Sequence, residues 1–201
     1  MNPRSAFFDA IAEKWDGWDD MVGLQRRLGT GLAQMGLSPQ ETVLDVGCGT
    51  GNLTLALLAA LGDKGRVAAV DISPRMIEVA RTKVRDARAS FHVAEAEKLP
   101  FDCSFCDRIL CFSVWPHFRD RDVVCRELAR VLRPGGRLHV WHLTPRHKVN
   151  EIHAAAGEPI SSDLLAPASQ TATQLTAAGF QVERVTDDAE QYLVTASKPS
   201  S

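Results

Sequence analysis

A short apolar run that ends in a glycine-rich turn constrains the fold of this chain more than any other feature. Residues 43–46 are apolar apart from Asp45, as is typical of a buried strand, and residues 52–61 are mostly leucine and alanine, which predicts a helix. Glycine permits positive φ angles and lacks the Cβ that would block a close approach to the backbone. The N–H groups at the helix start favour a carboxylate or phosphate, so the turn predicts a ligand site. Three glycines form the turn: Gly47, Gly49 and Gly51.

A second apolar run lies beyond this helix, at residues 66–70, and it ends in Asp71. An acid at the tip of a second strand suits hydrogen bonding to ribose hydroxyls. The glycine spacing is G-x-G-x-G, which differs from the G-x-G-x-x-G of dinucleotide-binding proteins. Asp45 lies at the end of the first strand, where a buried charge needs a partner. The alternative is an ordinary strand–helix turn with an incidental acid.

Strands and helices alternate through the middle of the chain. The strands predicted after the first are 66–71, 90–94, 106–112 and 136–142, and the helices are 50–61, 74–88 and 120–132. This alternation predicts an α/β fold with a parallel sheet and helices on both faces. Such sheets bind ligands beyond the carboxyl ends of their strands. Polar residues fall at those ends: Asp45, Asp71, Glu95 and Ser113.

The chain begins with a predicted helical cap, residues 1–38. Within it, apolar side chains recur at helical spacing over residues 5–35. One hypothesis is that Phe8, Trp15 and Trp18 form a lid over a ligand. The alternative is a pair of helices that only covers the edge of the sheet.

The C-terminal third of the chain has a different pattern. Residues 143–169 contain several prolines and serines and predict an irregular insertion. Residues 170–178 predict a helix that ends before a glycine. Two runs that alternate between apolar and polar residues, 180–185 and 191–196, predict an antiparallel β-hairpin.

Residues 43–51, VLDVGCGTG, and the VDIS that follows the second strand resemble the Rossmann-like (class I) S-adenosylmethionine-dependent methyltransferases. Residues 94–101, 107–110 and 132–136 resemble later segments of the same family. The resemblance covers roughly residues 40–142 and is specific for the cofactor, not for the methyl acceptor. It implies a doubly wound, mostly parallel seven-stranded sheet that is completed by the C-terminal antiparallel hairpin.

The resemblance implies S-adenosylmethionine as the cofactor and roles for the residues that hold it. The glycines would let the methionine part approach the turn, Asp45 would orient its amino group or the turn, and Asp71 would bind the ribose hydroxyls. Ile72 would press on the adenine. Glu95, where the family usually has Asp, would reach the adenine amino group together with Ala96. The full set is Asp45, Gly47, Gly49, Gly51, Asp71, Ile72, Glu95, Ala96 and Ser113.

Ser113, Trp115 and His117 follow the fourth strand, next to the position that the resemblance implies for the reactive methyl group. Family branches that methylate nucleobases carry an Asn/Asp-Pro-Pro-aromatic signature there. Residues 113–118 read SVWPHF instead, and this difference counts against methylation of nucleobase amines.

Four of the six histidines lie between residues 139 and 153. If residues 146–156 are helical, Arg146, Asn150 and His153 share one face of that helix. The cluster could grip an anionic acceptor, act as a general base or ligate a metal, since neutral imidazole is a common ligand. The alternative is that His139 packs in the sheet and that the neighbouring polar residues are solvated.

Candidate residues for the acceptor site follow from these positions. The cap and the insertion are both expected to line the acceptor cavity, because irregular segments usually carry binding residues. No metal is predicted. The candidate catalytic residues are His117, His142 and His153. The candidate substrate-binding residues are Phe8, Trp15, Trp115, Arg146 and Asn150.

Composition narrows the class of partner. The net charge of −2 and the pI near 6.3 indicate no large basic surface, so no nucleic-acid partner is predicted. No apolar run is long enough to span a membrane, and the N-terminus has no secretory pattern. The five cysteines are an odd number and suit a reducing cytoplasm.

Together these features predict a cytoplasmic methyltransferase that consists of a single domain, residues 1–201, and that acts on a small-molecule acceptor. Two alternatives stay open. One is a protein that binds S-adenosylmethionine but has lost catalysis. The other is a methyltransferase that acts on protein or RNA, against which the absence of a basic extension counts.

Overall fold

The computed structural model describes residues 2–18 and 20–200. Its strands are β1 (Thr42–Val46), β2 (Arg66–Asp71), β3 (Ala89–Val93), β4 (Cys106–Phe112), β5 (Leu132–His142), β6 (Gln181–Asp187) and β7 (Tyr192–Ser197). Its α-helices are α1 (Pro3–Ile11), α2 (Met21–Met35), α3 (Asn52–Ala60), α4 (Pro74–Lys83), α5 (Arg121–Val131), α6 (Arg146–Ala156) and α7 (Ala168–Ala177). Two further segments, Ala12–Trp18 and Trp115–His117, are 3-10 helices.

The chain forms two compact units, one that extends to Glu95 and one that starts at Ala96. The first unit contains three parallel strands in the order β3-β2-β1, with Val43 opposite Val67 and Val67 opposite Ala89. β1 and β2 are buried along almost their whole length. This burial explains their continuous apolar runs, because a parallel strand covered on both faces has no solvent side for polar residues.

The helices of the first unit begin at local signals that the sequence contains. The Ser73 hydroxyl accepts a hydrogen bond from the Met76 N–H at the start of α4, and Pro74 occupies the first helical position. Asp20 caps α2 in the same way through the N–H of Gly23. Both helices therefore begin at side chains that satisfy otherwise unpaired N–H groups, and the start of α4 agrees with the prediction of a helix from residue 74.

The end of α4 differs from the prediction of a helix over 74–88. The helix stops at Lys83, and Val84 is extended, with φ −100° and ψ 96°. The Arg88 guanidinium then binds the Asp86 carboxylate and the carbonyls of Leu58 and Gly62. This non-local anchor holds the residues after Lys83 outside the helix.

The second unit contains four strands in the order β4-β5-β7-β6. β4 and β5 are parallel, whereas β7 is antiparallel to both β5 and β6. β5 begins at Leu132, earlier than the predicted start at 136, because Leu132 pairs with Cys106 across an irregularity in the ladder. The predicted C-terminal hairpin is confirmed as β6 and β7.

The predicted α/β class, with parallel strands followed by an antiparallel hairpin and seven strands in the described residues, is confirmed. Residues 143–167 contain α6 and are otherwise irregular, and α7 begins at Ala168, two residues before its predicted start. That residues 143–169 are an insertion stays a prediction. Every helix in the described part of the chain is too short or too polar to span a lipid bilayer. That residues 1–201 act as a single domain stays a prediction.

Candidate functional site

The glycine turn after β1 has the backbone geometry that its glycines predict. Gly47, Gly49 and Gly51 have φ angles of +74°, +51° and +84°. The N–H groups of Gly47 and Cys48 donate to the Val70 carbonyl at 2.8 and 2.9 Å. The turn is thereby fastened to the end of β2, which places its peptide groups beside the residues that follow Val70.

The surroundings of Gly49 and Gly51 differ sharply. A Cβ added at Gly51 would lie 3.1 Å from Val84 Cγ2 and 3.3 Å from Ala80 Cβ, so Gly51 allows close packing against α4. A Cβ added at Gly49 would have no heavy atom within 4 Å among the described residues. Gly51 therefore serves the fold, whereas Gly49 leaves open space beside the turn.

Asp71 joins the glycine turn to the start of α4. Its Oδ2 accepts from the Gly49 N–H at 2.8 Å, and its Oδ1 accepts from the Ser73 N–H at 2.9 Å. A carboxylate has about four lone-pair sites and accepts hydrogen bonds from hydroxyl groups as well as from N–H groups. The neighbouring Ile72 is half-buried, and its carbonyl accepts from the Ser5 hydroxyl at 3.1 Å.

Asp45 is buried in the end of β1 with only 1% of its surface exposed. Its Oδ2 accepts from the Thr54 hydroxyl at 2.7 Å, but its Oδ1 has no hydrogen-bond partner within the described residues. Burial, together with the charge of Asp71, raises the pKa of Asp45 from 3.8 to about 7, against the opposing hydrogen bond from Thr54. A buried carboxylate oxygen without a partner is a position for a ligand N–H group.

The helical N-terminal segment, residues 3–18, contacts the start of α4 within the first unit. Asp9 on α1 accepts from the Ser73 hydroxyl at 2.5 Å and from the Arg75 N–H at 3.0 Å. The Phe8 and Trp15 rings are half-buried and meet edge to face, with centroids 6.2 Å apart. Trp18 is 63% exposed. The lid role of Phe8 and Trp15 stays a prediction.

A polar cluster that the sequence did not reveal holds this segment against the glycine turn. The Asp16 carboxylate accepts from Lys83 Nζ at 2.5 Å, from the Thr50 hydroxyl at 2.7 Å and from the Asn52 amide at 2.9 Å. Lys83 also donates to Thr50 and Asn52. Burial by itself would raise the pKa of Asp16. The hydrogen bonds and the charge of Lys83 outweigh burial and hold this pKa below its ordinary value. The cluster couples the N-terminal segment to the start of α3.

The two residues predicted to meet adenine fall in different units. Glu95 is exposed, and its Oε1 accepts from the Asn2 amide at 3.3 Å within the first unit. Ala96 is buried in the second unit. Contact of either residue with adenine stays a prediction.

The second unit brings together two of the predicted histidines and an acid that the sequence did not reveal. His117 Nδ1 lies 2.8 Å from Asp163 Oδ2, and the Asp163 side chain is only 3% exposed. His153 Nδ1 lies 2.5 Å from the Asp163 carbonyl oxygen. The His117 and His153 rings are in contact, with centroids 4.8 Å apart. A single residue of the insertion therefore orients both imidazoles.

His142, the third predicted catalytic residue, is buried at the end of β5. Burial, and then the charges of His117 and His153, lower the pKa of His142 to about 3, so its imidazole is neutral. Its ring meets the Tyr192 ring edge to face at 5.5 Å. Its Nε2 is buried without a hydrogen-bond partner in the part of the chain that the structure describes. His142 thus offers a neutral nitrogen close to the other two histidines.

Trp115 and Ser113 lie directly after β4. Trp115 is 1% exposed, and its Nε1 also lacks a partner among residues 2–18 and 20–200. Ser113 is exposed, and its backbone is in the left-handed region with a φ angle of +53°. Its N–H donates to the Trp141 carbonyl at 2.9 Å. A role for the Ser113 side chain toward the cofactor stays a prediction.

The remaining predicted residues of the second unit make structural contacts. Arg146 forms an ion pair with Asp187 at 2.9 Å. The Asn150 side chain exchanges two hydrogen bonds with the backbone of Leu165, at 2.8 and 3.2 Å. His139 is buried and bonds to Thr195 at 3.0 Å, as in the alternative interpretation. Substrate binding by Arg146 and Asn150 stays a prediction.

Metal content is a separate prediction for the histidine cluster. No group of three or more His, Cys, Asp or Glu side chains among the described residues is arranged to hold a metal ion. We expect the protein purified without an affinity tag to contain substoichiometric zinc, iron and cobalt in elemental analysis. A stoichiometric metal that disappears in His153→Ala would contradict this expectation, because imidazoles anchored through Nδ1 also occur as metal ligands.

Comparison with known proteins decides the family. Residues 44–140 match the family model described as a methyltransferase domain. The chain is 36% identical to a Shewanella oneidensis protein named ubiquinone/menaquinone biosynthesis C-methyltransferase UbiE. The aligned stretch has 150 residues and covers 71% of this chain and 60% of that protein. The chain belongs to the class I S-adenosylmethionine-dependent methyltransferases. The chain spans about 60% of the length of the Shewanella oneidensis protein and of its Shewanella counterparts.

Other methyltransferase relatives and solved structures agree with this membership. Methyltransferase GfsG of Streptomyces halstedii is 38% identical over 129 residues, 62% of this chain and 46% of that protein. The structure of an S-adenosylmethionine-dependent methyltransferase from Aquifex aeolicus covers 94% of this chain and 97% of its own, with 23% identity and a TM-score of 0.77. The cyclase SpnF also has this fold, with a TM-score of 0.71 and 22% identity over 87% of this chain and 82% of its own.

The methyltransferase family implies S-adenosylmethionine as the cofactor, and the first unit fits it. The open space beside Gly49 admits a ligand next to the backbone of the turn. The Asp45 oxygen, which has no partner among the residues that the structure describes, suits an amino group, and the Asp71 carboxylate suits hydroxyl groups. Since the same fold occurs in a cyclase, the fold does not by itself decide the reaction.

Proposed function

We propose that this chain transfers a methyl group from S-adenosylmethionine to a small-molecule acceptor. The observation that carries the proposal is the pair of acids beside the glycine turn. Asp71 binds the Gly49 N–H, and Asp45 carries a buried oxygen without a partner in the described part of the chain. A turn that served only to connect a strand and a helix would not need either acid in this state.

The residues of the first unit would hold the cofactor by complementary charge and hydrogen bonding. Asp45 would accept a hydrogen bond from the amino group of the methionine part, and Asp71 would accept from the ribose hydroxyls. Gly49 would leave room for the methionine part beside the turn. When bound, S-adenosylmethionine supplies a methyl group that is already activated by its attachment to a sulfonium. The protein therefore has to position the acceptor and prepare its nucleophilic atom.

The small-molecule acceptor rests on the relatives and on the charge of the chain. Relatives from several Shewanella species share a name that assigns them to ubiquinone/menaquinone biosynthesis as C-methyltransferases, and quinone precursors are small molecules. The net charge of −2 provides no basic surface for a nucleic acid. We place the protein in the cytoplasm, since all five cysteines are thiols.

Cofactor binding is the first test. We expect isothermal titration calorimetry to detect binding of S-adenosylmethionine or its demethylated product, S-adenosylhomocysteine, and no binding of NAD. Asp71→Ala should weaken that affinity by about 10- to 100-fold, because a hydrogen bond to a charged group contributes about 1.5–3 kcal/mol. Asp188→Ala is the matched control, since Asp188 also accepts from two backbone N–H groups but lies in the β6–β7 turn.

The outcome separates the proposal from its alternatives. A wild-type chain that binds NAD and ignores S-adenosylmethionine would overturn the proposal. A chain that binds S-adenosylmethionine but methylates no compound in a metabolite panel would favour a catalytically silent binding protein. Methylation of protein or RNA alone would assign the acceptor to the macromolecular alternative.

A further inference from the structure

We propose that Asp163 positions His117 as the catalytic base that removes a proton from a hydroxyl group of the acceptor. The acceptor class is then a phenol or an enol, which is methylated on the ionised oxygen or on the adjacent carbon. This inference rests on the proposed function and deepens it. It assigns a positioning role to Asp163, a residue of the irregular segment between α6 and α7.

The contact between Asp163 and His117 determines which nitrogen of His117 can accept a proton. Asp163 Oδ2 lies 2.8 Å from His117 Nδ1, and a carboxylate only accepts hydrogen bonds. The Nδ1 of a neutral His117 therefore carries the proton and donates it to this bond, which places the lone pair of the imidazole on Nε2. The same pairing of carboxylate and imidazole orients the base of serine proteases.

The burial of Asp163 strengthens this orientation. Its side chain is 3% exposed, and its backbone carbonyl accepts from His153 Nδ1 at 2.5 Å. Burial is the main cause that lowers the pKa of His153, so the second imidazole is neutral and adds no positive charge that would oppose a proton on His117. Asp163 thus orients two imidazole rings, one through its side chain and one through its backbone.

Two buried nitrogen atoms indicate which group the acceptor presents. Trp115 Nε1 and His142 Nε2 have no hydrogen-bond partner within residues 2–18 and 20–200. An indole N–H only donates, and a neutral imidazole can donate through Nε2. Donors of this kind stabilise an oxyanion such as a phenolate. Trp115 and His117 are the first and last residues of one 3-10 helix, which ties this donor to the proposed base.

The reaction balances without a further reagent. His117 Nε2 takes the hydroxyl proton, and the electron pair of the O–H bond stays on the acceptor oxygen. The acceptor forms a bond from this oxygen, or from the adjacent ring carbon, to the methyl carbon. The bond from that carbon to sulfur breaks, and sulfur keeps the electron pair. After attack through a ring carbon, the proton of that carbon passes to water, its electron pair restores the aromatic ring, and the acceptor oxygen recovers the proton from His117.

The experiment compares the full-length chain with Asp163→Asn and His117→Gln. Nitrogen-15 NMR of the imidazoles, at a pH where they are neutral, should show the Nδ1–H form of His117 in the wild type and the Nε2–H form in Asp163→Asn. With a panel of hydroxylated arenes and enols, kcat should fall by about 100-fold or more in both variants, which is the usual contribution of a positioned base. The affinity for S-adenosylhomocysteine should stay within about twofold, because neither Asp163 nor His117 is among the residues proposed to hold the cofactor.

Asp107→Asn is the matched control, since it removes another acid of the second unit from an ion pair, with Arg133 at 2.8 Å. It should keep both the His117 tautomer and the rate. An unchanged tautomer and rate in Asp163→Asn would overturn the positioning role, and wild-type transfer only to amines or thiols would overturn the acceptor class. Failure of the wild type to bind S-adenosylhomocysteine would instead overturn the proposed function.

Discussion

Gly51→Ala should lower the free energy of unfolding by about 2–4 kcal/mol, whereas Gly49→Ala should lower it by only about 1 kcal/mol. Both glycines have positive φ angles, +84° and +51°, so both substitutions carry the cost of a side chain in the left-handed region. Only the new Cβ at position 51 would also press on Val84 and Ala80, at 3.1 and 3.3 Å. The difference between the two variants isolates the packing cost against α4.

Cofactor affinity should show the opposite order. The methyl group of Gly49→Ala would occupy the open space beside the turn, where the methionine part is proposed to lie. We therefore expect Gly49→Ala to bind S-adenosylhomocysteine at least tenfold more weakly than the wild type while it remains folded. Urea unfolding measures the stability of each variant, and calorimetry measures its affinity. Equal stability losses in the two variants would contradict the packing argument, and full affinity in Gly49→Ala would place the ligand elsewhere.

Asp45 should make both stability and cofactor affinity depend on pH between 4 and 7. The pKa of an unperturbed Asp carboxyl group is 3.8, and that of Asp45 in the folded chain is about 7, mainly because the carboxyl group is buried. Between these values the folded state holds a proton that the unfolded state has released. The free energy of unfolding therefore contains a contribution from Asp45 that is present at low pH. This contribution is lost as pH rises through this window, by about 4 kcal/mol in total.

Asp45→Asn is the test of this linkage, because an amide of the same shape cannot titrate and its oxygen can still accept from Thr54. Urea unfolding from pH 4 to pH 7 should show a loss of stability in the wild type that is smaller in the variant by about 3 kcal/mol, since the titration is only half complete at pH 7. Identical pH profiles for the two proteins would show that Asp45 is ionised in the folded state throughout.

Cofactor binding should respond to pH in the reverse direction. A bound amino group favours ionised Asp45, so the affinity of the wild type for S-adenosylhomocysteine should fall by about fivefold between pH 7 and pH 6, as the ionised fraction of a group with a pKa of about 7 decreases. Asp45→Asn should bind more weakly at pH 7 and lose this slope. A slope that persists in the variant would assign the titration to another group.

Most of the fold could be predicted from the sequence because its signals are local. Apolar runs, alternating runs and helical spacing located the strands and helices, and the predicted start of α4 at residue 74 coincides with the capping residue Ser73 and with Pro74. The same local signals misplaced the end of α4 and the start of β5. These boundaries depend on partners elsewhere in the chain, namely the carbonyls that bind Arg88 and the pairing of Leu132 with Cys106.

The glycine turn and its acids were also predictable, but their state was not. Three glycines after a strand require a particular backbone path, and this requirement is a property of the residues themselves. The unpartnered oxygen of Asp45 and the two N–H groups held by Asp71 depend on which backbone groups meet them in the folded chain. Burial, which raises the pKa of Asp45, is likewise a property of the packed core.

The sequence by itself determined the fold class, the glycine turn and the family of the protein, because each rests on local backbone preferences or on a contiguous motif. Only the tertiary structure decided that Asp163 meets His117, 46 positions away, and that Lys83 meets Asp16, 67 positions away. Neither acid lies in a motif or in a periodic pattern. Such pairs form where an irregular segment packs against an ordered one, and their geometry is specified by the packing of the whole unit, not by the residues next to them in the chain.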